Sequence, residues 1–243
     1  FNIGKRIVCI KGFTLAEVLI TLGIIGVVAA MTMPTLIANH KTKELVVKAR
    51  KTFSIIENAT RLAQTESGVI GDNTYVFDTS KSSVEVAEHF SKYFNAALFC
   101  PTKSTDGCSD YFYGVVKNTI SGSRAIFSSN PIIVLNDGSL ISVEQYSSCK
   151  QSTLICDEID PSTGNCTTDS DGNAIGKYED LNFCATLYID INGVKAPNQF
   201  GRDVYAGRVW QNGRITFNDW GQSGAVSASN ILQGIDKLEF KNF

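Results

Sequence analysis

The sequence predicts an α+β fold in which one long N-terminal helix packs on an antiparallel β-sheet, with disulfide-held loops. Three observations predict it. An apolar run from Gly12 to Ala38 continues into helical periodicity as far as Thr65. From Cys100 onward, short β-type segments are punctuated by Asn-Asp-Gly and Asn-Gly turns. Six cysteines, Cys100, Cys108, Cys149, Cys156, Cys166 and Cys184, fall in that second part.

The apolar run organises the chain. Between Phe13 and Ala38 the one formal charge is Glu17. The length matches the roughly 20 residues a helix needs to cross about 30 Å of hydrocarbon. It is too long for the apolar core of an ordinary cleaved signal, and no small-residue cleavage site follows it. Lys5, Arg6 and Lys11 precede it, which orients the N-terminus to the cytoplasm and the remainder outward. Glu17 is the anomaly, because a carboxylate one turn into a membrane helix costs a few kcal/mol unless it finds a partner or snorkels to the interface. A cut between Gly12 and Phe13 would create an amine one turn away that a neighbouring copy could offer to it.

Lys11-Gly12-Phe13-Thr14-Leu15-Ala16-Glu17-Val18-Leu19-Ile20 resembles the processing site of type IV prepilins and type II secretion pseudopilins. The resemblance implies cleavage after Gly12 by a prepilin peptidase, N-methylation of Phe13, an assembly role for Phe13 and Glu17, and a helix-kinking role for Pro34. It also implies a pilin-like fold, an inner-membrane assembly platform as partner, and storage in a bacterial inner membrane before assembly into a periplasmic or surface filament. The leader opens at Phe1 without Met, so the chain is expected to be a fragment at its start.

The expected organisation is 1–12 leader, 13–38 transmembrane and filament-core helix, 39–66 amphipathic continuation and 67–243 exported head. The helix would then run about 50 residues, roughly 80 Å at 1.5 Å per residue. Leu45, Ala49, Phe53, Ile56, Ala59 and Ala63 form the stripe of its second half. Gly23, Gly26, Ala29 and Ala30 offer small surfaces for close helix approach. The basic cluster from Lys41 to Lys51 reads as a solvated face, or one that meets headgroups or an acidic neighbour.

In the head, Thr74–Asp78 is expected as a short strand. Ser83–Ala97 reads as a second helix capped by Ser82 or Ser83, with Val84, Ala87, Phe90 and Phe94 inward. Strands are expected at 111–117, 124–127, 131–135, 139–143, 183–191, 208–210 and 214–217, with a helix or edge in the tail from Ser227. Cys149–Lys177, rich in Ser, Thr, Asp and Gly, is expected as a disulfide-held surface loop. Trp210, Phe217 and Trp220 cluster around the last hairpin, as core or as an adhesive patch.

Removing Lys5, Arg6 and Lys11 leaves 19 basic against 24 acidic residues, which argues against a general nucleic-acid binder. Six exported cysteines imply disulfides in an oxidising compartment. Fifteen connectivities exist; Cys100–Cys108 and Cys156–Cys166 as local loops, with Cys149–Cys184 as the longer closure, are favoured. Zinc is disfavoured, since no C-x-x-C occurs and the histidines are His40 and His89. No serine elbow or phosphate loop points to an enzyme, and no catalytic cofactor is expected. Two stretches could hold a structural calcium or could simply be polar turns. They are Asp169, Asp171 and Asn173, and Asp190, Asn192 and Asp203. The functional expectation is a prepilin or pseudopilin polymerised into a type IV pilus or type II secretion pseudopilus. The alternative is a non-polymerising, membrane-anchored binding or adhesin domain.

Overall fold

The computed structural model describes residues 14–118, 122–158, 160, 166–218, 228 and 231. Gly12, Phe13, Cys9, Trp220 and nearly all of the expected C-terminal element lie outside the described residues. The chain divides into two compact units, Phe1–Thr42 and Lys43–Phe243.

Helix α1, Leu15–Glu66, contributes to both units and is unbroken at Pro34. In the first unit its apolar side chains are exposed, Leu15 at 78% and Met31 at 74%. The helix is long and apolar enough to cross a membrane. Two of its hydroxyls are satisfied within the helix: Thr21 Oγ1 donates to Val18 O at 3.0 Å and Thr32 Oγ1 to Val28 O at 2.9 Å. A hydroxyl closed on its own backbone needs no water, which suits hydrocarbon.

In the second unit α1 supplies Ala49, Phe53, Ile56, Ala59 and Ala63 to the main core, all essentially inaccessible. Phe53 stacks on Phe217 at 4.2 Å between ring centroids and meets Tyr205 edge-on at 5.3 Å. Truncating a ring so enclosed costs about 3–5 kcal/mol. The basic cluster beside this stripe is partly committed: Lys51 Nζ lies 2.8 Å from Asp137 Oδ2, and Arg50 Nε donates to Ile231 O at 3.0 Å.

The sheet runs β1-β4-β5-β7-β8-β9, antiparallel throughout, with β6 also paired to β7. Its strands are β1 Ala96–Cys100, β4 Ile132–Leu135, β5 Leu140–Gln145, β6 Lys150–Cys156, β7 Gly176–Asp190, β8 Val204–Trp210 and β9 Ile215–Asn218. Register places Ile141, Ile189 and Tyr205 in one cross-strand row, and Val143, Leu187, Gly207 and Phe217 in the next, all facing α1. The other face is covered at one end by a separate hairpin, β2 Gly114–Asn118 and β3 Gly122–Phe127, over a second core that includes Phe127, Leu140, Phe200 and Val204. From Phe183 onward β7 is therefore buried on both faces where one-sided alternation was expected. The architecture is α+β and pilin-like.

Several local expectations are corrected. Thr74–Asp78 is turn, because Asp72 Oδ1 takes the Thr74 N–H at 2.8 Å and Phe77 N bonds to Asn73 O, which curls the segment. Helix α2 is Ser83–Ser91, and β1 begins at Ala96 inside the span expected to be helical. Its Ser82–Glu85 capping box is complete, and Val86 is buried where Val84 was expected. Residues Ser109–Tyr111 form a 3-10 turn, so β2 starts at Gly114. Most of Cys149–Lys177 is not loop: β6 pairs with the first half of β7 from Lys150↔Asn182 to Cys156↔Gly176. That ribbon is largely solvent-facing on both sides, so it carries no hydrophobic alternation to read.

Three disulfides close on Cys100–Cys108, Cys149–Cys184 and Cys156–Cys166. Cys149–Cys184 sits at the base of the ribbon and Cys156–Cys166 at its far end. In the chain-entropy account the 35-residue closure contributes about 3–4 kcal/mol, more than either local loop.

Candidate functional site

Glu17 sits in the first turn of α1. Its Oε2 accepts the Thr14 backbone N–H at 2.8 Å and the Thr14 hydroxyl at 2.9 Å, and Thr14 Oγ1 accepts the Glu17 N–H at 3.3 Å. This is a reciprocal capping box, which satisfies amides that a helix start otherwise leaves bare. Thr14-x-x-Glu17 is a sequence-level signature of that motif, and Thr14 is the residue that sequence reasoning passed over. The carboxylate also lies at the positive end of the helix dipole, where negative charge is favoured. Glu17 thus has partners in an isolated chain. The flanking side chains Val18, Leu19 and Ile20 are exposed and apolar.

Pro34 lies inside α1, and Gly23 and Gly26, three residues apart on the helix, carry no side chain. One face of the run therefore accepts close neighbours without steric penalty.

Residues 9–33 match the family described as the prokaryotic N-terminal methylation motif. The chain carries the prepilin-type signature. That match covers 25 of its 243 residues, including Gly12, Phe13, Thr14 and Glu17. No curated protein and no solved structure matches the chain. The signature supports a type IV pilin-like or pseudopilin precursor, and with the apolar helix it fits a membrane-anchored one.

The head of this pilin-like chain holds the two stretches considered for calcium. Asp169 Oδ1 accepts the N–H groups of Asp171 and Asn173 at 3.0 and 2.8 Å, and Asn173 Nδ2 turns toward Asp169 Oδ2 at 3.3 Å. An amide nitrogen pointing inward is the wrong group for a cation. In the second stretch Asp190 is fully buried; its Oδ2 takes the Tyr113 hydroxyl at 2.7 Å and its Oδ1 the Asn192 N–H at 3.1 Å. Asp203, also fully buried, takes the Asn198 and Gln199 N–H groups at 2.8 and 2.7 Å. Burial raises the Asp190 carboxyl well above its usual range, with the Asp203 charge adding to it. Burial also raises Asp203, against the pull of the Gln199 and Asn198 amides.

Among the described residues, two buried side-chain oxygens of this turn, Asn192 Oδ1 and Asn198 Oδ1, lack a donor. No three His, Cys, Asp or Glu side chains gather as a metal site among the described residues. As arranged, the turn is closed by backbone amides and the Tyr113 hydroxyl.

Around the last hairpin, Phe217 is buried under Phe53, whereas Trp210 is half-buried with Nε1 donating to Thr216 Oγ1 at 2.7 Å. His40 lies on α1 and His89 on α2, where its ring meets Tyr93 edge-on at 5.5 Å between centroids.

Proposed function

We propose that the chain is a structural subunit, a prepilin or pseudopilin cut after Gly12 by a prepilin peptidase and methylated on the Phe13 amine. It is then polymerised by an inner-membrane assembly platform. Residues 13–38 form the transmembrane and filament-core helix, 39–66 its amphipathic continuation and 67–243 the exported head. Before assembly the chain waits in the inner membrane with its N-terminus cytoplasmic; afterwards it belongs to a periplasmic or surface filament.

One observation carries this reading: the prepilin-type signature coincides with a helix whose apolar side chains are exposed among the described residues, as a helix meant for lipid or for copies of itself would leave them. Apolar faces that repeat head to tail generate an open fibre when the rotation does not close. The amine of Phe13 and the carboxylate of Glu17 would set the register, since any offset leaving either charge alone in an apolar bundle is penalised.

The test is mass analysis of the N-terminus of material sheared from cells, alongside a Glu17→Ala variant. A chain starting at methylated Phe13, with the variant inserted in the membrane but missing from filaments, is the expected result. Working protein that retains residues 1–12 would leave only a tethered binding domain.

A further inference from the structure

An open cleft of about 510 Å³ lies in the head. It is lined by Asp72, Asp180, Asn182, Trp210, Gln211 and Asn212 among others. Three separate segments meet there: the connection after α1, the base of the β6–β7 ribbon and the β8–β9 turn. They are fastened by main-chain bonds, Asn73 N to Gln211 O at 3.0 Å and Gln211 N to Asn182 O at 2.9 Å. Behind them lies a buried polar network. Gln64 Nε2 donates to Asn73 Oδ1 at 2.7 Å and to Gly213 O at 3.1 Å, and Asn73 Nδ2 donates to Trp210 O at 2.8 Å.

The lining contrasts with this rigid floor. Asn182, Gln211 and Asn212 are exposed, and their side-chain amides make no hydrogen bond to the described residues. Asp180 is half exposed and holds Lys150 at 2.8 Å. Trp210 is fixed by Thr216 and by an edge-on contact with Phe183 at 5.8 Å between centroids.

We propose that this cleft is a carbohydrate-binding site for a neutral saccharide. A pyranose ring has one face of C–H bonds, which the electron-rich face of an indole attracts. Its hydroxyls both donate and accept, and the lining offers both: carboxylates that accept and primary amides that do either. An anionic ligand is disfavoured by Asp72, the Asp180 charge being matched by Lys150. A greasy ligand is disfavoured because Leu181 and Trp210 are the only large apolar residues among the described lining. Trp210 and the main chain of the floor are fastened before a ligand arrives, which spares part of the ordering cost of binding. The inference stands on the head alone and holds equally for a filament subunit and for a tethered domain.

The experiment uses the full chain in lipid nanodiscs, because glycoside detergents would compete. Chitotriose, lactose, mannotriose and 3′-sialyllactose are titrated while tryptophan emission is followed, and a wider panel of neutral and anionic glycans is scanned on an array. Saturable binding of at least one neutral glycan is expected. Asn182→Ala and Gln211→Ala, both at exposed positions, should each weaken it about tenfold with an unchanged melt, and Trp210→Ala should abolish it. Three results overturn the proposal: no neutral glycan bound anywhere on the panel, binding indifferent to both amide variants, or binding confined to anionic glycans.

Discussion

The Tyr113 hydroxyl donates to Asp190 Oδ2 at 2.7 Å, across 77 residues of sequence, and the carboxylate that receives it is fully buried. This bond ties the segment leading into the β2–β3 hairpin to the end of β7, beneath the second core. Because burial raises Asp190 in the folded state, the fold binds that proton more tightly than the unfolded chain does. Its contribution is complete below the usual carboxylate range and is lost as pH rises through the raised folded value. Asp203 is raised by burial too and acts in the same direction. Relative to Asp190→Asn, the wild-type head should therefore lose thermal stability as pH goes from 4 to 8. Melts that run parallel over that range would contradict it. Tyr113→Phe removes the donor and should cost about 1–3 kcal/mol at neutral pH.

The same turn makes a prediction about metal. Both carboxylates already accept amide or hydroxyl donors, so added calcium has to displace bonds that hold the chain together. Millimolar calcium and excess EDTA should leave the melting temperature of the full chain the same within about 1 °C, since ligand linkage scales as RT ln(1 + [L]/Kd). A calcium-dependent rise that vanishes in Asp203→Asn would show that a cation opens the turn.

What the residues disclosed, and what they withheld, follows from the range of the interactions. Turns such as Asn136-Asp137-Gly138 and Asn212-Gly213 were legible because they need positive φ, 85° at Gly138 and 79° at Gly213, which few residues supply. The α1 stripe was legible because one face is buried and the other is not. The β6–β7 ribbon was not, since pairing of exposed Ser, Thr, Lys and Gln leaves no periodicity. The second core was hidden for another reason: Phe127, Leu140 and Phe200 meet only after the β2–β3 hairpin folds over the sheet. Asp190 and Asp203 could be read as polar turn residues, but the Tyr113 partner could not. At the N-terminus, Glu17 was singled out by its charge while its partner Thr14 went unread, although a Thr three residues before a Glu is a local and recognisable pattern.

Gly213 makes a sharp test of the floor under the cleft. A Cβ there would stand 2.6 Å from backbone atoms of Gly71, and its φ of 79° already strains any L side chain. Gly213→Ala should destabilise the head by about 1–3 kcal/mol. Gln64→Leu attacks the same floor from α1, leaving Asn73 Oδ1, Gly213 O and the Gly71 N–H without their partner, and should cost at least about 2 kcal/mol. Chemical denaturation of the full chain checks both. Because the two changes disrupt one network, the double variant should cost less than the sum of the singles; strict additivity would mean that the loop and the hairpin are held independently.

Glu17→Gln separates the two jobs that Glu17 can do. The carboxamide keeps an oxygen for the Thr14 N–H, so the helix cap survives in weakened form, whereas the charge is gone. If capping were the whole role, the glutamine variant would insert and assemble nearly as wild type does, and Glu17→Ala would be the worse of the two. If the charge sets the register between copies, both variants should insert normally and both should be missing from sheared filaments. The proposed function requires the second outcome, because a neutral amide offers a neighbouring amine dipole contact but no counter-charge, and in an apolar surround that difference is worth several kcal/mol. Membrane fractionation measures insertion and sheared-filament yield measures assembly. Thr14→Val, which removes the hydroxyl from the cap and leaves the charge, is the complementary control and should still assemble.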